Sequence, residues 1–222
     1  MTSPRLTLSL SVLIALSSPL AFAAEGISKV NGSITVGSGE SQGTLETVNG
    51  SIKIGDNARV ADAETVNGSI SVGSRSQTGS LETVNGSIRV GSNVTASAGL
   101  ETVNGGIFVD RGGTVRGDIE TVNGAIGLVD TDVSGGIETV NGDVTVGVDS
   151  HVSGGIHYVK PSGIGIKLKP RNPRVVIGPN ARVDGPLVFE REVTLYVHAT
   201  AKTGAIRGAT AIAYNTPKPP AE

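Results

Sequence analysis

Six glutamates recur at nearly constant spacing: Glu46, Glu64, Glu82, Glu101, Glu120 and Glu138, separated by 18, 18, 19, 19 and 18 residues. Each opens the same pentapeptide, Glu-Thr-Val-Asn-Gly. If one repeat is one coil of a stack, adjacent carboxylates lie about 5 Å apart and repel by roughly 0.8 kcal/mol per pair in water, and less in salt. No file of Lys or Arg recurs at matching positions to neutralise them. Two readings follow, a solvated face that tolerates the repulsion or a strip for a divalent cation or a cationic partner. Ca²⁺ is the ion whose taste for clustered oxygens such a strip suits, but it takes about six to eight ligands. One carboxylate per coil supplies few of them.

The other positions of the pentapeptide form files of their own. Asn31, Asn49, Asn67, Asn85, Asn104, Asn123 and Asn141 line up as a ladder whose stacked amides bond from coil to coil and satisfy buried polar groups. The Gly after each Asn is a backbone device, and Asn-Gly supplies a corner because both residues tolerate positive φ. Thr47, Thr65, Thr83, Thr102, Thr121 and Thr139 form a flat Thr array of the kind seen on ice-binding faces, with Asn where a second Thr would stand. Strand alternation leaves open whether Thr47 or Val48 faces inward. An outward Val file (Val48, Val66, Val84, Val103, Val122, Val140) would be an apolar stripe suited to lateral self-association.

A basic stretch interrupts the repeat between 160 and 174, with Lys160, Lys167, Lys169, Arg171 and Arg174 and no acidic residue. Prolines at 161, 170 and 173 make it an irregular loop or edge hairpin. Its five cations either form a solvated loop that blunts a sheet edge or hold an anionic glycan or lipid headgroup. Catalytic constellations are weak. His151, His157 and His198 lack metal-ligand spacing, and with no Cys in the chain nothing completes a metal site. There is no nucleophile elbow and no phosphate loop. Glu190, Arg191 and Glu192 read as surface Glu–Arg pairing. Long groove-walling loops and Trp platforms for sugar are missing as well. A non-enzyme without a cofactor is expected.

These files need a scaffold that repeats every 18 or 19 residues. The chain has 222 residues, of which 32 are Gly, six are aromatic and 37% are hydrophobic. That is too apolar for disorder and too poor in rings for a conventional globular core. A formal net charge of −2 offers no field for nucleic acid. Ile52 and Ile54 bracket Lys53, Ile88 and Val90 bracket Arg89, and Val144 and Val146 bracket Thr145: strand periodicity, with no sustained helical stripe. Each repeat accommodates three short strands and three corners. A single coil cannot bury its apolar side, so coils stack in parallel. The fold class is all-β, a single-stranded parallel β-helix of about ten coils and, at roughly 4.8 Å per coil, on the order of 45–50 Å long.

The ETVNGSI unit resembles the adhesin-type bacterial β-solenoid domain, in which Val-Asn-Gly-x-Ile recurs coil after coil. From Val175 to Ala205 the chain is more similar to the polymer-forming bactofilins, through Ile177-Gly178-Pro179-Asn180-Ala181 and Ala201-Lys202-Thr203-Gly204. The resemblance implies a right-handed, triangular β-helix and says little about function, because these motifs are backbone and core residues. Bactofilins assemble end to end in the cytoplasm. This chain instead opens with Arg5, an apolar run from Leu6 to Leu16 and Ala21-Phe22-Ala23, which predicts a secretory signal over 1–23 cleaved after Ala23. The β-helix is expected over 24–208 and a flexible Pro-rich tail over 209–222. No later apolar run is long enough to span a membrane. The expected role is a non-enzymatic structural or adhesion-type protein of the periplasm or cell surface. Binding of anionic envelope glycan through the 160–174 loop and end-to-end self-assembly are the alternatives.

Overall fold

A computed structural model of the chain describes residues 25–160 and 171–220. The described residues form twenty-nine short strands and no helix, hence none that could cross a membrane. One coil runs through Leu45–Asn49 in sheet A, Ile52–Ile54 in sheet B and Arg59–Val60 in sheet C. Repetition of this path gives three parallel sheets of ten, ten and nine strands, a β-solenoid of triangular section with about ten coils. Each residue pairs with its counterpart one coil away: Leu45 with Ala63, Glu46 with Glu64, Asn49 with Asn67.

The core is a set of aliphatic files. Ile34, Ile52, Ile70, Ile88, Ile107 and Ile126 stack behind sheet B, each almost fully buried, while the residues they bracket in the strands face solvent. Burying one such side chain contributes about 2 kcal/mol, and one continuous cluster runs along the rod, with a second, of Val176, Tyr196 and Tyr214, near its C-terminal end. Rings enter this core only at the C-terminal end, where Tyr158 and Phe189 pack with centroids 5.5 Å apart.

Positive φ lies at a different corner from the one expected. It recurs between sheets B and C, at Gly39, Asn57, Arg75, Asn93, Gly112, Asp130, Asp149 and Asn180. At the Asn-Gly corner only Gly32 has it. The glycines of the later copies are required for another reason. A Cβ on Gly105 would collide with the carbonyl oxygen of Gly86, and one on Gly124 with that of Gly105. Neighbouring coils touch backbone to backbone there.

The basic segment sits where an Asn-Gly corner would stand, linking Ile156–Tyr158 of sheet A to Arg174–Ile177 of sheet B. Val175 pairs with Val144 as if the coil were uninterrupted, and Arg174 belongs to the strand rather than to the loop. Lys167 and Lys169, like the expected signal at 1–23, lie outside the described residues. The solenoid also runs past the expected limit at 208. Ala211–Tyr214 pairs in parallel with Thr194–His198, with Ala211 and Ala213 in register with Leu195 and Val197 but exposed at the end of the rod, and Tyr214 buried in a cluster with Val176 and Tyr196.

Candidate functional site

The Thr–Val ambiguity resolves on sheet A. Thr47, Thr65, Thr83, Thr102, Thr121 and Thr139 point inward and are buried, so the array is no ice-binding face. The hydroxyls of the first five are satisfied across coils, while Thr139 accepts the Gly142 N–H of its own coil at 3.3 Å. Thr47 donates to Gly32 O at 3.0 Å, Thr65 to Gly50 O at 2.8 Å, Thr83 to Gly68 O at 2.8 Å and Thr102 to Gly86 O at 2.9 Å. The Gly therefore supplies the close approach, and the Thr satisfies the carbonyl that this approach buries. Tyr158, which pairs with Thr139, fills the same role from a larger side chain: its hydroxyl donates to Gly142 O at 2.7 Å. Burial pushes its pKa up.

The Val file accordingly faces out. Val48, Val66, Val84, Val103 and Val122 are half-buried, Val140 is buried, and Val30 in the first coil is 66% exposed. Beside them runs the Asn ladder as a continuous chain. Each Nδ2 donates to the Oδ1 one coil earlier, from Asn49 on Asn31 at 3.0 Å to Asn141 on Asn123 at 2.9 Å. The ladder is exposed rather than buried, so it stitches the corner from outside. Arg191 closes it, donating through Nη1 to Asn141 Oδ1 at 2.6 Å and to Val140 O at 2.8 Å. The expected surface pairing of Glu190 with Arg191 is replaced by these two separate roles.

The Glu file occupies the third outward row. Glu46, Glu64, Glu82, Glu101, Glu120 and Glu138 stand in register and half-buried. One Oε1 on Glu64 and one on Glu101 are buried with no hydrogen-bond partner. Burial, followed by repulsion from Glu82 and Glu46, raises the Glu64 pKa, and burial followed by Glu82 raises that of Glu101. Glu120 is pushed up to about 7 by burial and then by Glu101, Glu138 and Asp118. At these three positions burial and neighbouring like charge together favour the protonated carboxyl.

The file ends at His157, in register with Glu138. Its Nδ1 lies 3.1 Å from Glu138 Oε2 and its Nε2 3.4 Å from Glu190 Oε1. The Lys160 N–H and His157 hold the Glu190 carboxyl below the usual range. Asp118, Glu120, Glu138, His157, Val188 and Glu190 border an open depression of about 510 Å³. His157 was visible in sequence from its phase in the repeat. Glu190 reaches it across 33 residues, and no local pattern announces that pairing.

No group of three or more His, Cys, Asp or Glu among the described residues is placed to hold a metal ion. The strip offers single carboxylates in series rather than a cage. The described part of the basic segment is turned toward the chain itself. Arg171 Nη2 lies 2.6 Å from Asp143 Oδ2, and Arg174 stacks over Tyr196 at 4.9 Å and donates to Pro220 O at 2.6 Å. Lys160 bonds Glu190 through its main-chain N–H. The Pro-rich terminus thus reaches back along sheet B. His151 bonds Asp184 at 2.8 Å, Arg182 bonds the same carboxylate, and His198 packs edge-on against Tyr214. The three histidines lie apart, each with its own partner. Comparison with known proteins gives no match to any family model, curated protein or solved structure.

Proposed function

We propose that this chain is a non-enzymatic structural or adhesion-type module of the bacterial cell envelope, exported by its first 23 residues, and that it engages a cationic partner along sheet A. The observation that carries this reading is the uninterrupted Glu file, which from Glu46 to Glu120 has no ion-pair partner on this chain among the described residues. A row of like charges destabilises its own fold and is relieved by a cation that binds along it. The half-buried Val file alongside adds apolar contact. The resemblance of the Val-Asn-Gly-x-Ile repeat to adhesin-type solenoids supports the envelope setting, with the periplasm or the cell surface as the place of action.

The test is binding of decalysine to the full chain and to the triple variant Glu82→Gln, Glu101→Gln, Glu120→Gln. Binding that weakens with salt and is lost in the variant is expected. Equal binding by both proteins rules the strip out, and a hydrolase or lyase activity abolished by one substitution overturns the non-enzymatic reading. End-to-end assembly is the second reading. It is favoured by the three sheets ending at Ile27–Asn31, Ile34–Val36 and Ser41–Gln42 with one edge unpaired among the described residues. Light scattering coupled to size exclusion, with and without Ca²⁺, separates filaments from a monomer.

A further inference from the structure

We propose that the outer face of sheet C, in the first half of the rod, is a groove for an acidic oligosaccharide chain held at its two ends by Arg59 and Arg116. The face carries a depression of about 730 Å³ bordered by both arginines. It is hollow because Ala61, Gly79 and Ser97, all small, line its side toward sheet A in successive coils. In the strands themselves Arg59, Gln77 and Thr95 stack in register.

The two guanidinium groups are uncommitted. Among the described residues Arg59 and Arg116 bond only through their main chains, to Glu40 O and Ala96 O. The one acid in the groove, Asp62, has Oδ1 occupied by Ser80, which donates its N–H at 2.7 Å and its hydroxyl at 3.0 Å. Farther along the same sheet acidic groups take up the side chains beside them. His151 stands between Asp132 and Asp184, and Arg182 bonds Asp184. Lys202, exposed at the far end of the sheet, stands alone among the described residues, so the groove is where two unpaired guanidinium groups border one depression.

The spacing selects a chain over a compact anion. Arg59 and Arg116 stand three coils apart, about 14 Å along the rod at roughly 4.8 Å per coil, with Arg116 two residues farther along the chain than the position in register with Arg59, so a phosphate ion meets only one of them. A pyranose ring advances a chain by about one coil step, so a tetrasaccharide laid along the rod brings a carboxylate to each guanidinium, a pairing suited to bidentate bonding. Its hydroxyls then lie over Gln77 and Thr95, whose amide and hydroxyl groups both donate and accept, and over Ser97, whose hydroxyl is donated to Thr78 O at 3.1 Å and is left to accept. No aromatic residue borders the groove, so a neutral sugar finds no stacking platform. Affinity must come from charge and fall with salt. This face is distinct from the Glu file and of opposite charge, so the two proposals stand or fall separately.

Calorimetry on the full chain tests the groove, with tetragalacturonate, cellotetraose and inorganic phosphate as probes. Tetragalacturonate is expected to bind, more weakly as salt rises, while cellotetraose and phosphate do not. Arg59→Gln and Arg116→Gln should each weaken binding about tenfold and together about a hundredfold. Both positions are on the surface, and a matching thermal melt verifies the fold. Arg207→Gln, an exposed cation in the last strand of sheet A, should leave binding unchanged. Absence of tetragalacturonate binding, equal binding of cellotetraose or of phosphate, or an equal loss in Arg207→Gln overturns the proposal.

Discussion

The first seven coils and the last three settle the same problem differently. From Asn31 to Asn141 each coil joins the next by the same Asn amide contact, and from Thr47 to Thr121 each Thr hydroxyl bonds a Gly carbonyl of the coil before it. After Asn141 each contact occurs once. Tyr158 replaces a Thr, Arg191 ends the amide chain, and His157 follows the last Glu of the file. In-register parallel stacking places every residue on its own copy. That arrangement suits aliphatic, Asn and Thr side chains, which pair with themselves, and penalises Glu, which repels itself. Where the repeat lapses, each carboxylate meets a nitrogen partner instead of its own copy: Glu138 and Glu190 meet His157, Asp184 meets His151, and Asp143 meets Arg171. Strict repetition gives a cohesive rod and leaves one face electrostatically unsatisfied.

The most severe way to break this comparison is to add a single carbon at the tightest corner. Gly105→Ala drives a Cβ into Gly86 O, and because the contact is backbone to backbone no side chain can swing aside. A loss of about 3 kcal/mol is expected. Lys202→Ala, on the exposed face of the last strand of sheet C, should stay within about 0.5 kcal/mol. Urea unfolding of both variants measures the difference, and similar midpoints would mean that the regular coils are no less tolerant than the terminal ones.

A smaller effect tests whether Tyr158 does what Thr does. Thr83→Val removes the hydroxyl that satisfies Gly68 O, and Tyr158→Phe removes the one that satisfies Gly142 O. Each leaves a buried carbonyl unpaired, which costs about 1–2 kcal/mol. Equal losses in thermal melts mean that the C-terminal coils preserve the logic of the corner with a different residue. A loss at Thr83 alone would mark the Tyr158 bond as incidental.

The fold was legible because the chain repeats. Spacing alone fixed the coil, and the bracketed triplets fixed which strand residues face in. The function of the corner glycine was not legible, since close approach and positive φ select the same residue. The true left-handed corner carries Gly39, Asn57, Arg75, Asn93 and Gly112, and the Asn, Asp and Gly recurring there are a signal that the louder Asn-Gly repeat overshadowed. The direction of Thr47 was undecidable from pattern because Thr and Val are both β-branched and similar in size. The sheet C groove escaped notice because its residues share no motif: what joins Arg59 to Arg116 is the coil geometry.

The subtlest test addresses the unsatisfied face itself. Glu120 has its folded pKa pushed up to about 7 from an ordinary 4.5, first by burial and then by Glu101, Glu138 and Asp118. Between those two values the folded state holds a proton that the unfolded state has released, so stability falls as pH rises. Below 4.5 both states are protonated and the penalty is absent; above about 7 it is fully expressed. Glu120→Gln keeps the shape and removes the charge. At pH 8 the variant should be more stable than the parent by up to about 1 kcal/mol, a figure held down because the half-exposed carboxyl is screened by solvent, and Tm should rise by about 2–3 °C. At pH 4 the two melts should coincide. His157→Gln, which withdraws the partner at the end of the file, should not reproduce that crossover, since it leaves Glu120 and its three acidic neighbours in place. A gain that is equal at both pH values would assign the effect to packing, and the repeat would then carry its stacked charges without penalty.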